Sequence, residues 1–127
     1  YIDARITKTA SNSEKDFDMQ RPSTPRHSGN IWTKYIITEG PLKHLGLGAG
    51  YNFVTERYGQ VGRRANTTVY PGYGLVNAVL YYKINQIQLQ LNLNNVLNKT
   101  HWVGGYDKLR SFPGAPRNIN VTVSYKF

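Results

Sequence analysis

Seven side chains have the chemistry to hold a ligand: Arg57, Tyr58, Arg63 and Arg64 in one stretch, and Trp102, Tyr106 and Arg110 in another. Guanidinium groups give charge-assisted hydrogen bonds to carboxylate, phosphate and other oxyanions. The rings give flat apolar walls. Together they suit an anionic, partly apolar ligand. The alternative is that these arginines hold surface phosphates or stay solvated. Catalytic residue types occur without the geometry catalysis needs, because no nucleophile–base motif joins Ser, His and the acids. His27, His44 and His101 fall in three different connections, which argues against a three-His metal site. There is no Cys, so neither a disulfide framework nor a thiolate site exists. The sequence therefore points to no enzyme, no resident metal and no directly bound cofactor.

Two superficial signals fail on inspection. Gly46, Gly48 and Gly50 alternate on one strand face and no helix follows, so they are not a dinucleotide loop. They leave room for a close neighbour on that face. The net charge of +9 could suit nucleic acid, with Arg63 and Arg64 on phosphates and Tyr58 and Tyr70 on bases. The basic residues are scattered over several connections and no recognition motif is present, so no nucleic-acid partner is expected.

The elements that must position these side chains are strands. Six segments alternate with period two. In the last, Ile119, Val121, Val123, Tyr125 and Phe127 share a face opposite Asn120, Thr122, Ser124 and Lys126. In the one before it, Ile87, Leu89, Leu91 and Leu93 oppose Gln88, Gln90, Asn92 and Asn94. A helix would wrap these leucines round its whole surface. Residues 1–9, 31–37, 45–53 and 73–82 alternate less cleanly, and Leu75 and Val79 spoil the polar face of the last of these.

The connections run long, short, long, short, long: residues 10–29, 38–44, 56–72, 83–85 and 98–117. Consecutive antiparallel strands send alternate connections to opposite ends, so the three long ones should gather at one end and the two short ones at the other. Bacterial outer-membrane barrels have this asymmetry. Ordinary loops have a median of about 4–6 residues. The long connections at 56–72 and 98–117 also carry net positive charge, while 10–29 is neutral.

Strand length agrees with a bilayer, since roughly 8–11 residues per segment match the roughly 9–11 that cross at a tilt. Ten residues span about 33 Å along the strand, or about 23 Å projected, near the apolar band of about 25 Å. A face of Gln, Asn, Thr, Ser and Lys cannot meet lipid and is too polar for a dry core. It suits a wet lumen, and the opposite face suits lipid. Tyr51, Phe53, Tyr73, Tyr81, Tyr82, Tyr125 and Phe127 lie near strand ends, where aromatic girdles lie. The expected fold is an all-β, antiparallel, up-and-down transmembrane barrel segment of about six strands. A half-buried sheet in a soluble binding module explains the alternation but not the loops, lengths and terminal aromatics together.

Two sets of residues carry a family resemblance. Val121-Thr-Val-Ser-Tyr-Lys-Phe127 resembles the terminal strand of bacterial outer-membrane proteins. This implies a barrel-assembly signal at Val121, Val123, Tyr125 and Phe127. The larger set follows chain order: Asn30-Ile-Trp-Thr-Lys-Tyr35, Leu45-Gly-Leu-Gly-Ala-Gly-Tyr51, Tyr70-Pro-Gly-Tyr73, Val76-Asn-Ala-Val-Leu-Tyr-Tyr82, Leu91-Asn-Leu-Asn-Asn-Val-Leu-Asn-Lys99 and Phe112-Pro-Gly-Ala-Pro-Arg117. It resembles the C-terminal barrel region of TonB-dependent siderophore receptors, with Leu97 where Phe is usual. Loop residues 10–29 and 56–69 match nothing in that pattern.

The resemblance implies that residues 1–127 are the last six strands of a 22-stranded barrel, without its N-terminal plug and earlier strands. It implies import of a ferric siderophore across the outer membrane of a Gram-negative bacterium. The implied partners are TonB, reached through the plug segment, the barrel assembly machinery, and outer-membrane lipid and lipopolysaccharide. The ligand candidates are then Arg57, Tyr58, Arg63, Arg64, Trp102, Tyr106 and Arg110. Arg117, after Pro116, is expected in a structural salt bridge or loop packing. A passive porin or structural barrel is the alternative function.

Overall fold

The computed structural model describes residues 1–8, 18, 20–59, 68–105 and 109–127. It divides into two compact units, one made of Tyr1–Gly29, Phe53–Tyr73 and Thr100–Gly114, the other of Asn30–Asn52, Gly74–Lys99 and Ala115–Phe127. The second unit is built on one five-stranded sheet. Its strands are β1 (Ser28–Ile36), β2 (Leu45–Val54), β5 (Tyr73–Ile84), β6 (Ile87–Asn94) and β9 (Asn118–Tyr125). They are neighbours in that order, so the sheet is a meander with β1 and β9 at its edges. The first unit holds the long connections. Two of them fold back on themselves as short antiparallel pairs, β3 (Arg57–Tyr58) with β4 (Val69–Tyr70) and β7 (Trp102–Gly105) with β8 (Ser111–Pro113).

The first sequence segment departs from expectation. Among the described residues, 1–8 contribute no strand to the sheet, and their one ladder contact is the bridge Arg5↔Gln20. Local charge explains this. Arg5 is clamped by Asp3 and Asp18, each at 3.0 Å, and the backbone N–H of Arg21 donates to the Ala4 carbonyl at 2.8 Å. The short period-two pattern in residues 1–9 therefore serves local pairing with the following connection.

Register fixes the two faces of the sheet. Leu91 pairs with Leu80 and Val121, Leu89 with Tyr82 and Val123, and Leu93 with Ala78 and Ile119. The mixed partners Gln90, Asn92 and Asn94 pair with Thr122, Asn120 and Asn118. The apolar row thus runs across β5, β6 and β9, and the polar row across β6 and β9, because directly opposite residues in an antiparallel ladder share a face. The apolar row is the exposed one: Leu91 is 39 % and Val121 66 % exposed. The polar row is half-buried on β6 and bonded to itself, Gln90 to Asn92 at 2.8 Å and Asn94 to Asn118 at 2.9 Å. This inverts the soluble pattern. Burying one such apolar side chain is worth about 1.5–3 kcal/mol, so leaving the row in water would forfeit as much as a whole domain's stability of about 5–15 kcal/mol.

On β1, β2 and β5 the polar-side face carries rings and glycines, with Trp32 and Ile36 about half exposed at 49 % and 50 %. A Cβ on Gly48 would stand 2.7 Å from Val79 Cγ1, and one on Gly50 would overlap the Trp32 ring. The glycines therefore admit Trp32 and Val79 from the neighbouring strands. Val79, which breaks the sequence pattern, is 4 % exposed for this reason. Tyr81 shares this face, with the Lys34 ammonium 4.2 Å above its ring. Tyr73 meets His101 and Arg57. These two tyrosines are corrections to the expected aromatic girdle, because their spacing puts them on the face opposite Tyr82.

Both short connections lie together. The backbone N–H of Lys83 donates to the His44 carbonyl at 3.3 Å. Ile84 and Ile87 close the β5–β6 hairpin on a two-residue turn whose Asn85 has φ 50°, a left-handed position that Asn tolerates.

Candidate functional site

The three long connections share one unit and are joined by hydrogen bonds. Ser23 N–H donates to the Tyr58 carbonyl at 2.7 Å, and Thr55 and His27 exchange backbone and hydroxyl bonds at 2.9–3.1 Å. Arg57 donates from Nη2 to the Trp102 carbonyl. Tyr70 and Ser111 hydroxyls meet at 3.1 Å. This is the clustering that alternating connection lengths imply.

The cluster has a core of its own. Tyr70 is 3 % exposed and is nested between two glycines. A Cβ on Gly59 would approach its ring to 2.7 Å, and one on Gly105 would overlap its hydroxyl. Beside it, Arg57 is 4 % exposed, with its guanidinium 5.2 Å from the Tyr73 ring centre. The other neighbour of Tyr73 is His101, 4.6 Å away and 7 % exposed. His101 fits because Gly114 leaves space for its ring, while the Gly114 N–H donates to the His101 carbonyl at 2.8 Å. Arg57 Nε and Thr68 Oγ1 are buried with no hydrogen-bond partner among the described residues. Buried polar atoms of this kind are costly and call for a partner.

In the other unit, Asn95 organises the end of β6. It is 3 % exposed with φ 50°. Its amide donates to the Lys99 carbonyl at 2.9 Å and the Ala115 carbonyl at 3.2 Å, and its Oδ1 accepts from Lys99 N–H at 2.9 Å. Its own N–H donates to Asn77 Oδ1 at 2.9 Å. Asn98 Oδ1 then accepts from the Arg117 N–H at 3.0 Å. Arg117 thus enters the strand through its backbone, and among the described residues the expected salt bridge is not seen.

Residues 1–96 match the family described as TonB dependent receptor-like, beta-barrel. The chain belongs to this family. Among TonB-dependent receptors, the probable TonB-dependent siderophore receptor PiuA of Acinetobacter baumannii is 29% identical over all of this chain, which spans 17% of that protein. The ferrioxamine B receptor of Salmonella typhimurium is 31% identical, again over the whole chain and 18% of its own length. The crystal structure of PiuA superposes with a TM-score of 0.75 at 27% identity, covering 94% of this chain and 16% of that one. This receptor chain therefore spans less than a fifth of the length of these relatives.

Of the ligand candidates on this TonB-dependent receptor chain, Arg63, Arg64 and Tyr106 lie outside the described residues. Arg57, Tyr58, Trp102 and Arg110 are all in the loop cluster. Arg57 and Trp102 are joined, but through a backbone carbonyl. Trp102 and Arg110 are exposed, Tyr58 is half-buried and Arg57 is buried. The packed roles of Tyr70, Tyr73, His101 and Asn95 are not evident from residue type and spacing alone. The nearby Gly59, Gly105 and Gly114 were the available signal, since each makes room for one of these rings. The terminal residues Val121, Val123 and Tyr125 are exposed on one face, with the Phe127 ring edge-on to Tyr125 at 5.2 Å.

Proposed function

We propose that this chain is the C-terminal barrel portion of an outer-membrane receptor that imports a ferric siderophore, with energy delivered through TonB. Identity along the whole chain to siderophore receptors carries the reading. The exposed apolar row supports membrane insertion, since lipid is the solvent that such a face suits. The proposal includes the partners: lipid and lipopolysaccharide around the barrel, the assembly machinery at Val121, Val123, Tyr125 and Phe127, and TonB through a plug carried elsewhere in the receptor.

The long connections present the ligand contacts in this reading. Arg63, Arg64 and Arg110 meet the anionic chelate, with Tyr58, Trp102 and Tyr106 as apolar walls. Arg57 acts from behind, holding the Trp102 backbone. The test is uptake of radiolabelled ferric siderophores by iron-starved Gram-negative cells carrying only the full-length receptor. Uptake of one anionic chelate should require TonB and should fall at least tenfold on charge reversal at Arg63 and Arg64, with unchanged surface receptor. TonB-independent entry of small solutes would instead make the chain part of a passive porin.

A further inference from the structure

A cavity of about 150 Å³ opens on the polar-side face of the sheet, lined by Lys34, His44, Gly46, Tyr81, Lys83 and Gln88 among others. Gly46 makes it. A Cβ there would stand 3.4 Å from Tyr81 Cβ and 3.5 Å from Ile36 Cγ1, so any longer side chain would fill the space. The walls are held, because Lys83 N–H donates to the His44 carbonyl and the Lys34 ammonium rests over the Tyr81 ring. The two ammonium groups have no carboxylate within 4.0 Å among the described residues. In Asn30–Asn52, Gly74–Lys99 and Ala115–Phe127 the sole acidic side chain is Glu39, which does not line the cavity.

We propose that this cavity is a carboxylate-binding subsite. Two like charges beside one small cavity repel each other, and an anion between them removes that cost. A carboxylate is an acceptor with two oxygens, one for each ammonium, and the Gln88 amide adds a neutral donor. The aromatic ring under Lys34 stabilises the cation and restricts where it points. The carboxylate belongs either to a free small molecule or to an Asp or Glu elsewhere in the receptor's own chain. The subsite stands on the sheet's geometry and does not depend on the import reading.

The test uses the full-length receptor in detergent and iron-free tricarballylate, a tricarboxylate lacking the hydroxyl that strengthens iron chelation. Calorimetry should show binding that Lys34→Gln and Lys83→Gln each weaken about tenfold, as loss of a charged hydrogen bond does. Gly46→Val should weaken it comparably without removing any charge, with Gly46→Ala as the milder variant whose Cβ meets only ordinary contacts. Lys43→Gln, outside the cavity, should change nothing. If the receptor's own chain supplies the carboxylate, tricarballylate will not bind. Lys34→Glu and Lys83→Glu will then lower Tm by several degrees, Lys34→Gln and Lys83→Gln by less, and Lys43→Glu not at all. Absence of binding together with unchanged Tm in the Glu variants overturns the subsite. So does binding that Lys43→Gln weakens as much as Lys83→Gln.

Discussion

In the loop cluster Arg57, Tyr70 and His101 are buried, whereas on β6 and β9 Leu91 and Val121 are exposed. The region with the least regular sequence has a packed, polar-containing interior. The region with the cleanest alternation buries little by itself: among the described residues no hydrophobic side chain of β6 or β9 is fully buried. The difference separates two ways of being stable. The cluster is held by rings seated on glycines and a guanidinium on a carbonyl. In the proposed membrane setting the sheet would need solvents that differ on its two faces and partners for its edges, because an unpaired edge in lipid leaves each backbone group unsatisfied at several kcal/mol.

The sharpest way to break this comparison is to charge the apolar face. Leu91→Arg in the full-length receptor should cost about 2–4 kcal/mol near the bilayer midplane. Gln90→Arg, one residue along, should cost far less. Denaturant titration in lipid vesicles reads both, and equal costs would mean that the faces are not solvated differently.

A smaller effect is expected in the cluster. Arg57→Met removes the donor to the part-buried Trp102 carbonyl, a charged hydrogen bond worth about 1–3 kcal/mol. Amide exchange should quicken in residues 55–59 and 100–105 while protection in β6 and β9 is kept. Equal loss in both regions would show that they open as one.

The smallest stability effect belongs to the chain end. Phe127 is fully exposed, and its ring makes a T-shaped contact with Tyr125. Deleting it should change the unfolding free energy of refolded receptor by less than about 0.5 kcal/mol, as surface changes do. Surface display in cells should fall several-fold if the residue is read during assembly. Normal display would leave it as an interface anchor alone.

Period-two alternation was enough to place β6 and β9 and to say which of their side chains share a face, because residue parity on a strand is a local property. Connection lengths likewise determined that the long segments gather, since antiparallel order leaves no other arrangement. Three things needed the tertiary structure. Residues 1–9 alternate like a strand, yet Asp3 and Asp18 hold Arg5 in a local bridge, and parity carries no information about which partner is nearest. Val79 breaks the alternation of its own strand, and only the packed sheet brings Gly48 of the neighbouring strand alongside to leave it room. Arg57 reads from sequence as an exposed ligand contact like its neighbours, and its burial against Tyr73 and Trp102 depends on a chain segment some forty-five residues away. The sequence determines what each position can bond to; long-range contacts decide which of those bonds is made.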